Sequence, residues 1–330
     1  MNKYLYYPGC SMDTSARAYG ISIAKVTSHL GITLEEIDDW NCCGATEYFG
    51  INPIPAYSLI ARNLALAAKQ ANGTRTVVAP CSACYLNLNK ADYYMAERPA
   101  LGEKVNEALA AGGLSYTPGT LAIRHLLDIL INEIGLARIK QLIVRPLTGL
   151  RVAPYLGCMV PRPDYYHRWS DHEHPIELDV LLKTLGAEVI DFPLKTSCCG
   201  GHMPHISPDT AFELLRRLIS SAAQYQADLL VTVCPMCQLN LDAYQGEMNR
   251  HFGTNYRVPI VFFTQLMGLA FGIEAKELGF GLELVSAAKA LEKIGVQAPA
   301  APPSRPRKAE GLPMPKPLPK KRSPEEEVDL

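Results

Sequence analysis

The stretch KYLYYPGC, residues 3–10, places a β-prone run directly before a glycine and a cysteine. The stretch RVAPYLGC, residues 151–158, repeats this arrangement later in the chain. A β-prone run bounded by turn residues predicts a short strand that ends just before the cysteine. Two such stretches in one chain indicate a duplicated unit.

All ten cysteines belong to this duplication. Each half contains a single cysteine, then an adjacent pair followed by glycine, then a C-x-x-C, with intervening lengths of 31 and 37 residues in the first half and 39 and 34 in the second. Thiolates from separate chain positions are typical ligands of a metal or iron–sulfur site. The candidate ligands are Cys10, Cys42, Cys43, Cys81 and Cys84 in the first half and Cys158, Cys198, Cys199, Cys234 and Cys237 in the second.

Strand and helix patterns alternate along both halves, which predicts an α/β fold of two Rossmann-like units with mostly parallel sheets. Because ligands of such sheets lie beyond the carboxyl ends of the strands, we expect each half to gather its five sulfurs at one sheet edge. The predicted strands are 3–7, 33–37, 74–79, 151–156, 188–192 and 228–233, and the predicted helices are 16–30, 56–71, 121–144, 176–185, 209–226 and 283–293. Residues 259–271 predict one more strand and helix.

We expect three segments: a cysteine-rich domain at 1–148, a second at 149–295 and a tail at 296–330. The boundary follows the helical pattern at 121–144 and the PLTG sequence at 146–149. The tail is rich in proline, alanine and charged residues, which is a composition typical of disorder.

Charge and hydropathy argue against several classes of function. The formal net charge is −1, which gives no basic surface for nucleic acid. The longest apolar run, 258–273, is shorter than the ~20 residues that span a membrane, so we expect no transmembrane helix. The N-terminus leaves no room for a signal peptide before Cys10, which predicts a cytoplasmic protein. Structural disulfides are then disfavoured.

Five sulfurs per half exceed the four that complete a tetrahedral zinc site. The closely spaced cysteine run of ordinary cubane ferredoxins does not occur in the sequence. Two adjacent cysteines can contact different irons, which suits an iron–sulfur assembly larger or more open than a four-cysteine site. Zinc in one half with a cluster in the other remains an alternative.

Three phrases, YYPGCS at 6–11, DWNCCGA at 39–45 and CPMCQLNLD at 234–242, together with both cysteine patterns, resemble the heterodisulfide reductase B subunits, a family of cysteine-rich CCG-domain proteins. The resemblance covers about residues 1–290. It implies a noncubane [4Fe–4S] cluster in each half, held by the five cysteines of that half. It also implies reductive cleavage of a disulfide between the clusters, with the coenzyme M–coenzyme B heterodisulfide or an analogue as substrate.

The resemblance further implies that the chain is one subunit of a complex, with a ferredoxin-like C subunit and a flavin-containing A subunit as partners. Two alternatives stay open. One is a related subunit that acts in sulfur oxidation or on another disulfide. The other is a noncatalytic electron-transfer or anchoring subunit of a succinate, lactate or glycolate dehydrogenase.

Several side chains near the cysteines could assist this chemistry. His202 follows the second cysteine pair and is the candidate proton donor to a departing thiolate. The alternative is that His202 is an ordinary packing or surface residue. This alternative is stronger for the remaining histidines near these cysteines, which are His167, His172, His174 and His205. Cationic groups that could attract an anionic substrate are Arg17, Arg162, Arg168 and Lys195.

Overall fold

The β-prone runs that precede the cysteines form strands in the computed structural model of the chain, which describes residues 2–45 and 47–296. Four of the six listed strand predictions are longer than the observed strands, by one to three residues. The strands are β1 (Asn2–Tyr6), β2 (Ile32–Glu36), β3 (Thr76–Val78), β4 (Ala122–Arg124), β5 (Arg151–Tyr155), β6 (Glu188–Val189), β7 (Leu229–Thr232) and β8 (Ile260–Phe262).

The strands form two four-stranded sheets, in the orders β2-β1-β3-β4 and β6-β5-β7-β8. Every strand pair is parallel, with Leu5 opposite Val77 in the first sheet and Val152 opposite Leu229 in the second. The identical order confirms the predicted duplication and the α/β fold class. In each sheet the strand order reverses between the first and third strands, which is where such sheets bind ligands.

Helices connect the strands, as parallel pairing requires. Helix α1 ends at Gly31, which has the left-handed φ of 70° that glycine adopts without strain. Helices α2 and α9 begin with proline, which lacks the amide hydrogen that would be unpaired at this position. The α-helices are α1 (Arg17–Leu30), α2 (Pro53–Gln70), α3 (Ser82–Glu97), α4 (Pro99–Ala110), α5 (Leu126–Asp128), α6 (Leu136–Gln141), α7 (Glu177–Thr184), α8 (Met203–Ile206), α9 (Pro208–Gln224), α10 (Pro235–Ala243), α11 (Gln245–Phe252), α12 (Phe263–Ala270) and α13 (Ala288–Leu291).

Helices α1 and α12 pack against each other and join the two halves. One continuous apolar cluster contains residues of both, including Val26 and Leu266. Within it, the Ser22 and Thr264 hydroxyls lie 2.6 Å apart, and both residues are fully buried. The division of the chain at residue 148 stays a prediction, and the predicted tail lies outside the described residues except for Val296.

Two helix predictions were wrong. The pattern at 121–144 predicts one helix, but Ala122–Arg124 forms strand β4, because buried Ile123 pairs with Val77 at the sheet edge. A π-helical turn at Ile129–Gly135 then divides the remaining helix. The pattern at 283–293 predicts a helix, of which only Ala288–Leu291 forms. Within residues 2–45 and 47–296, none of the helices combines the length and the hydropathy of a membrane span.

The buried hydroxyl pair generates a prediction about the joint between the halves. Ser22 also contacts the Tyr19 carbonyl oxygen at 3.0 Å, so it keeps a partner when Thr264 is replaced, whereas Thr264 depends on Ser22. We expect Ser22→Ala to lower the free energy of unfolding by about 1–3 kcal/mol, because it leaves a buried hydroxyl unpaired. Thr264→Val should cost less. Urea denaturation measures both.

The double variant provides the control. Ser22→Ala combined with Thr264→Val removes both hydroxyls, so it should be more stable than Ser22→Ala alone. A double variant that loses the sum of the two single effects would contradict this account of the joint.

Candidate functional site

The ten cysteines lie at the carboxyl ends of the strands. In the first half, Cys10 follows β1, Cys42 and Cys43 follow β2, and Cys81 and Cys84 follow β3. The second half repeats this arrangement, with Cys158 after β5, Cys198 and Cys199 after β6, and Cys234 and Cys237 after β7. None of the ten forms a disulfide.

The thiols of the first half are neighbours. Cys42 Sγ lies 3.7 Å from Cys10 Sγ. Cys43 interacts with Cys42 on one side and with Cys84 on the other, and Cys84 interacts with Cys81. Cys81 is the N-cap of α3 and Cys84 lies in its first turn. Hydrogen bonds to Cys234 and Cys43, respectively, together with burial, raise the pKa of both thiols well above the ordinary value. The first half thus brings together all five predicted ligands.

The second half gathers its thiols in the same way. Cys158 interacts with Cys198, and Cys237 interacts with Cys199 and Cys234. Cys234 is the N-cap of α10 and Cys237 lies in its first turn, as in the first half.

Cys81 and Cys234 lie next to each other, so the two groups of thiols adjoin. Both residues are buried. The family resemblance implies that the two cysteine groups face each other, but the sequence does not identify which cysteines meet. The pairing of Cys81 with Cys234 is the feature of the site that sequence reasoning missed.

A cavity of about 180 Å³ lies among the cysteines of the first half. All five cysteines of the first half line the cavity, and His202 and Met236 line it from the second half. The thiols surround this space and do not converge on one point, since no group of three or more cysteine, histidine or acidic side chains among the described residues is arranged to hold a single metal ion.

Glycine makes room for the thiols. A Cβ on Gly9 would lie 2.9 Å from Cys84 Sγ, and a Cβ on Gly157 would lie 3.0 Å from Cys237 Sγ. Both glycines have positive φ, 78° and 71°. The glycine before the first cysteine of each half is therefore required by the space that the sulfurs occupy. A donor set of five thiols around such a space fits an iron–sulfur cluster.

Polar side chains hold the adjacent cysteine pairs in place. Asn87 Nδ2 donates to the Cys43 carbonyl at 3.2 Å and lies 3.9 Å from its sulfur. Asn240 Nδ2 does the same for Cys199, at 3.3 Å and 3.7 Å. Amide hydrogen bonds to ligand sulfurs are one way in which proteins tune cluster potentials.

Two buried tyrosines support the same turns. The Tyr7 hydroxyl donates to the Asn41 carbonyl, just before Cys42, and the Tyr155 hydroxyl donates to the Ser197 carbonyl, just before Cys198, both at 2.6 Å. Burial raises the pKa of each phenol, so both remain protonated donors.

Hydrogen bonds between the thiols lower the pKa of some cysteines and raise the pKa of others. A hydrogen bond from Cys42 lowers the pKa of Cys43 to about 4, and the Cys42 pKa rises correspondingly. A hydrogen bond from Cys158 lowers the pKa of Cys198 to about 6. Hydrogen bonds from Cys237 and then Cys81 lower the pKa of Cys234 well below the usual value. Each half therefore favours at least one thiolate, which is the form that binds metal.

The cationic candidates are mostly engaged elsewhere. Lys195 is 1% exposed and donates to Asp179 at 2.8 Å, so it forms a buried ion pair. Arg162 bonds Glu173, and Arg168 lies 3.8 Å from Asp128. Arg17 lines a separate cavity of about 260 Å³. Among the five histidines singled out in the sequence, His202 alone lines the cavity of the first five cysteines.

Two segments of the chain, residues 4–89 and 152–242, match the profile of the CCG cysteine-rich domain. The chain belongs to the CCG cysteine-rich domain family. The family resemblance expected from the sequence is thus confirmed, and each matched segment of this CCG-domain chain contains the five cysteines of one half.

Relatives of this CCG-domain chain are subunits of oxidoreductase complexes. It is 35% identical over 287 residues to the 8-methylmenaquinol:fumarate reductase membrane anchor subunit of Wolinella succinogenes, covering 87% of this chain and 98% of the relative. It is 29% identical over 297 residues to the B subunit of the ferredoxin:CoB-CoM heterodisulfide reductase of Methanosarcina mazei, covering 89% and 97%. A hypothetical protein from Helicobacter pylori shares the fold, with a TM-score of 0.67 at 15% identity over 86% of this chain and 52% of that one.

The different pKa values of the thiols predict that an alkylating reagent labels some cysteines of the cluster-free protein faster than others. Cys42 and Cys198 are both exposed, but only Cys198 has a lowered pKa. Because the thiolate is the nucleophile, iodoacetamide at pH 7 should label Cys198 faster than Cys42. Labelling of Cys198 should slow as the pH falls through about 6, where its thiolate is protonated.

Mass spectrometry of peptides after timed labelling measures both rates in one sample. Cys42 then serves as the internal control. Equal rates at pH 7, or faster labelling of Cys42, would contradict the thiol hydrogen bonds described above.

Proposed function

We propose that the chain is the iron–sulfur subunit of a multisubunit oxidoreductase, and that each half holds one noncubane [4Fe–4S] cluster. The observation that carries this proposal is the meeting of two five-thiol groups at Cys81 and Cys234. The proposed ligands are Cys10, Cys42, Cys43, Cys81 and Cys84 for one cluster and Cys158, Cys198, Cys199, Cys234 and Cys237 for the other.

When bound, the two clusters would supply one electron each. The protein's own contribution is to orient the thiols and limit access to them. Tyr7 and Tyr155 fix the turns that carry the adjacent pairs, and Asn87 and Asn240 direct amide hydrogens toward a sulfur of each pair. Cys10, Cys42 and Cys198 are the exposed positions through which a substrate or partner could approach.

The first candidate reaction is reductive cleavage of a disulfide, either the coenzyme M–coenzyme B heterodisulfide or an analogue. Cleavage consumes two electrons and two protons and leaves two thiols. Two adjoining cluster sites could each provide one of the two electrons. His202 lines the cavity beside the first five thiols, where it could donate a proton. A ferredoxin-like C subunit and a flavin-containing A subunit would then deliver the electrons.

The second candidate is electron transfer without disulfide chemistry, in a complex of the fumarate reductase type. The specific observation that favours it is the 35% identity over 98% of the Wolinella anchor subunit. The chain would then carry electrons between quinol oxidation and dicarboxylate reduction. The sulfur-oxidation alternative and the cytoplasmic location stay predictions.

Metal analysis tests the part that both candidates share. Anaerobically purified protein should contain about eight irons and about eight acid-labile sulfides per chain, the content of two four-iron clusters. About four irons with one zinc would contradict a cluster in both halves. Protein without iron would contradict both candidates.

The glycines that make room for the sulfurs allow each half to be tested separately. Gly9→Ala places a methyl group against Cys84 Sγ, so we expect it to remove about half of the iron. Gly73→Ala is the matched control, because Gly73 has a similar φ of 81° but no atom within 4 Å of the new Cβ. The control should keep its iron, and full iron content in Gly9→Ala would refute the steric argument.

His202 distinguishes the two candidates. In a disulfide reductase that uses it as proton donor, His202→Gln should slow heterodisulfide reduction by about 10²–10⁴-fold while iron content is unchanged. His205→Gln, three positions later and exposed, is the matched control. If the complex instead couples quinol oxidation to fumarate reduction, and neither variant alters that rate, the electron-transfer role is supported and disulfide cleavage is not.

A further inference from the structure

Tyr19 lies where the two groups of thiols meet. It is fully buried on α1, and its hydroxyl lies 3.3 Å from the Pro80 carbonyl oxygen and 3.4 Å from the Val233 carbonyl oxygen. Pro80 directly precedes Cys81, and Val233 directly precedes Cys234. One hydroxyl hydrogen is therefore shared between the strand ends that carry the two adjoining cysteines.

Two aromatic rings pack against the ring of Tyr19. It stacks on Phe262 with the ring planes 1° apart and the centroids 4.2 Å apart, and it meets the edge of Phe263 at 6.0 Å. Both phenylalanines belong to the second half, whereas Tyr19 belongs to the first. The second half thus fixes the place of a hydroxyl that the first half supplies.

His125 lies close to the same two carbonyl groups. The residue is fully buried, and its Nδ1 accepts the Leu127 backbone N–H at 3.1 Å. An imidazole that accepts at Nδ1 carries its proton on Nε2. Nε2 lies near the Pro80 and Val233 carbonyls, although neither contact has full hydrogen-bond geometry. A second buried polar hydrogen therefore lies beside the two strand ends without forming a hydrogen bond of its own.

We propose that Tyr19 and His125 are positioning residues that hold Cys81 and Cys234 side by side and thereby set the electronic coupling between the two cluster sites. This inference rests on the proposed function, because it concerns two clusters in one chain. Tyr7 and Tyr155 each donate to a carbonyl within one half, whereas Tyr19 contacts both halves at once.

The physical reason is the burial of two carbonyl dipoles at one junction. Carbonyl oxygens that approach each other away from water repel and need a donor. The Tyr19 hydroxyl between them offsets this repulsion, so the two backbones can stay close, and the nearby His125 N–H adds a weaker favourable dipole. Without the donors, the strand ends would relax apart, and the sulfurs that they carry would separate.

The test uses the full-length protein, purified anaerobically with its iron. Tyr19→Phe keeps the ring and its stacking on Phe262 but removes the shared hydrogen. We expect unchanged iron and sulfide content, weaker spin–spin splitting in the electron paramagnetic resonance spectrum of the reduced protein, and a smaller gap between the two midpoint potentials. Tyr7→Phe, which removes a buried tyrosine–carbonyl bond within one half, should leave the splitting unchanged.

His125→Asn tests the same junction independently, since the asparagine side chain can still accept from Leu127 while the imidazole is lost. It should also weaken the splitting. Iron-loaded Tyr19→Phe and His125→Asn proteins that both keep the unsubstituted splitting would overturn this inference and leave the proposed function intact. If Tyr19→Phe does not assemble, unchanged splitting in His125→Asn overturns it alone. Unsubstituted protein without iron would overturn the proposed function, and this inference with it.

Discussion

The arrangement of the molecule depends on one constraint, which is that the carboxyl ends of two parallel sheets meet at a pair of buried cysteines. Cys81 and Cys234 lie next to each other, and each is the N-cap of a helix whose first turn carries another thiol. The packing of α1 on α12 brings the halves together, and Tyr19 contacts the carbonyl before each cysteine. The two cysteine groups therefore adjoin at these two residues.

Burying so many thiols has a cost that the surrounding structure offsets. Six of the ten cysteines are buried, and neighbouring thiols compete for the same hydrogens. The surrounding residues supply hydrogen-bond donors and room for the sulfurs. Asn87 and Asn240 direct amide hydrogens toward the sulfurs, and Gly9 and Gly157 leave space for a sulfur atom. These features occur at equivalent places in both halves, so the duplicated sequence preserves an environment for the sulfurs as well as the sulfurs themselves.

Much of this could be predicted from the sequence because it is local. A β-prone run before each cysteine predicts a strand end, and parallel strand ends share an edge, so the grouping of five cysteines follows from the pattern alone. The meeting of Cys81 with Cys234 could not be predicted, because it depends on packing between segments far apart in the chain. The strand within residues 121–144 could not be predicted for the same reason. The helical periodicity is present there, but Ile123 pairs with Val77 of a distant strand and becomes part of the sheet.

The position of His202 shows the same limit of prediction from the sequence. Its position after the second cysteine pair suggests the second site, yet in the folded chain it lines the cavity of the first five cysteines. A residue from one half thus lies beside the cysteines of the other half.

The most direct test of this account is a crystal structure of anaerobically purified protein with anomalous scattering measured at the iron and zinc edges. The account predicts two groups of four irons, one beside the cysteines of each half, on either side of Cys81 and Cys234, with no zinc signal. A single iron group, or a zinc peak within either set of five cysteines, would contradict it.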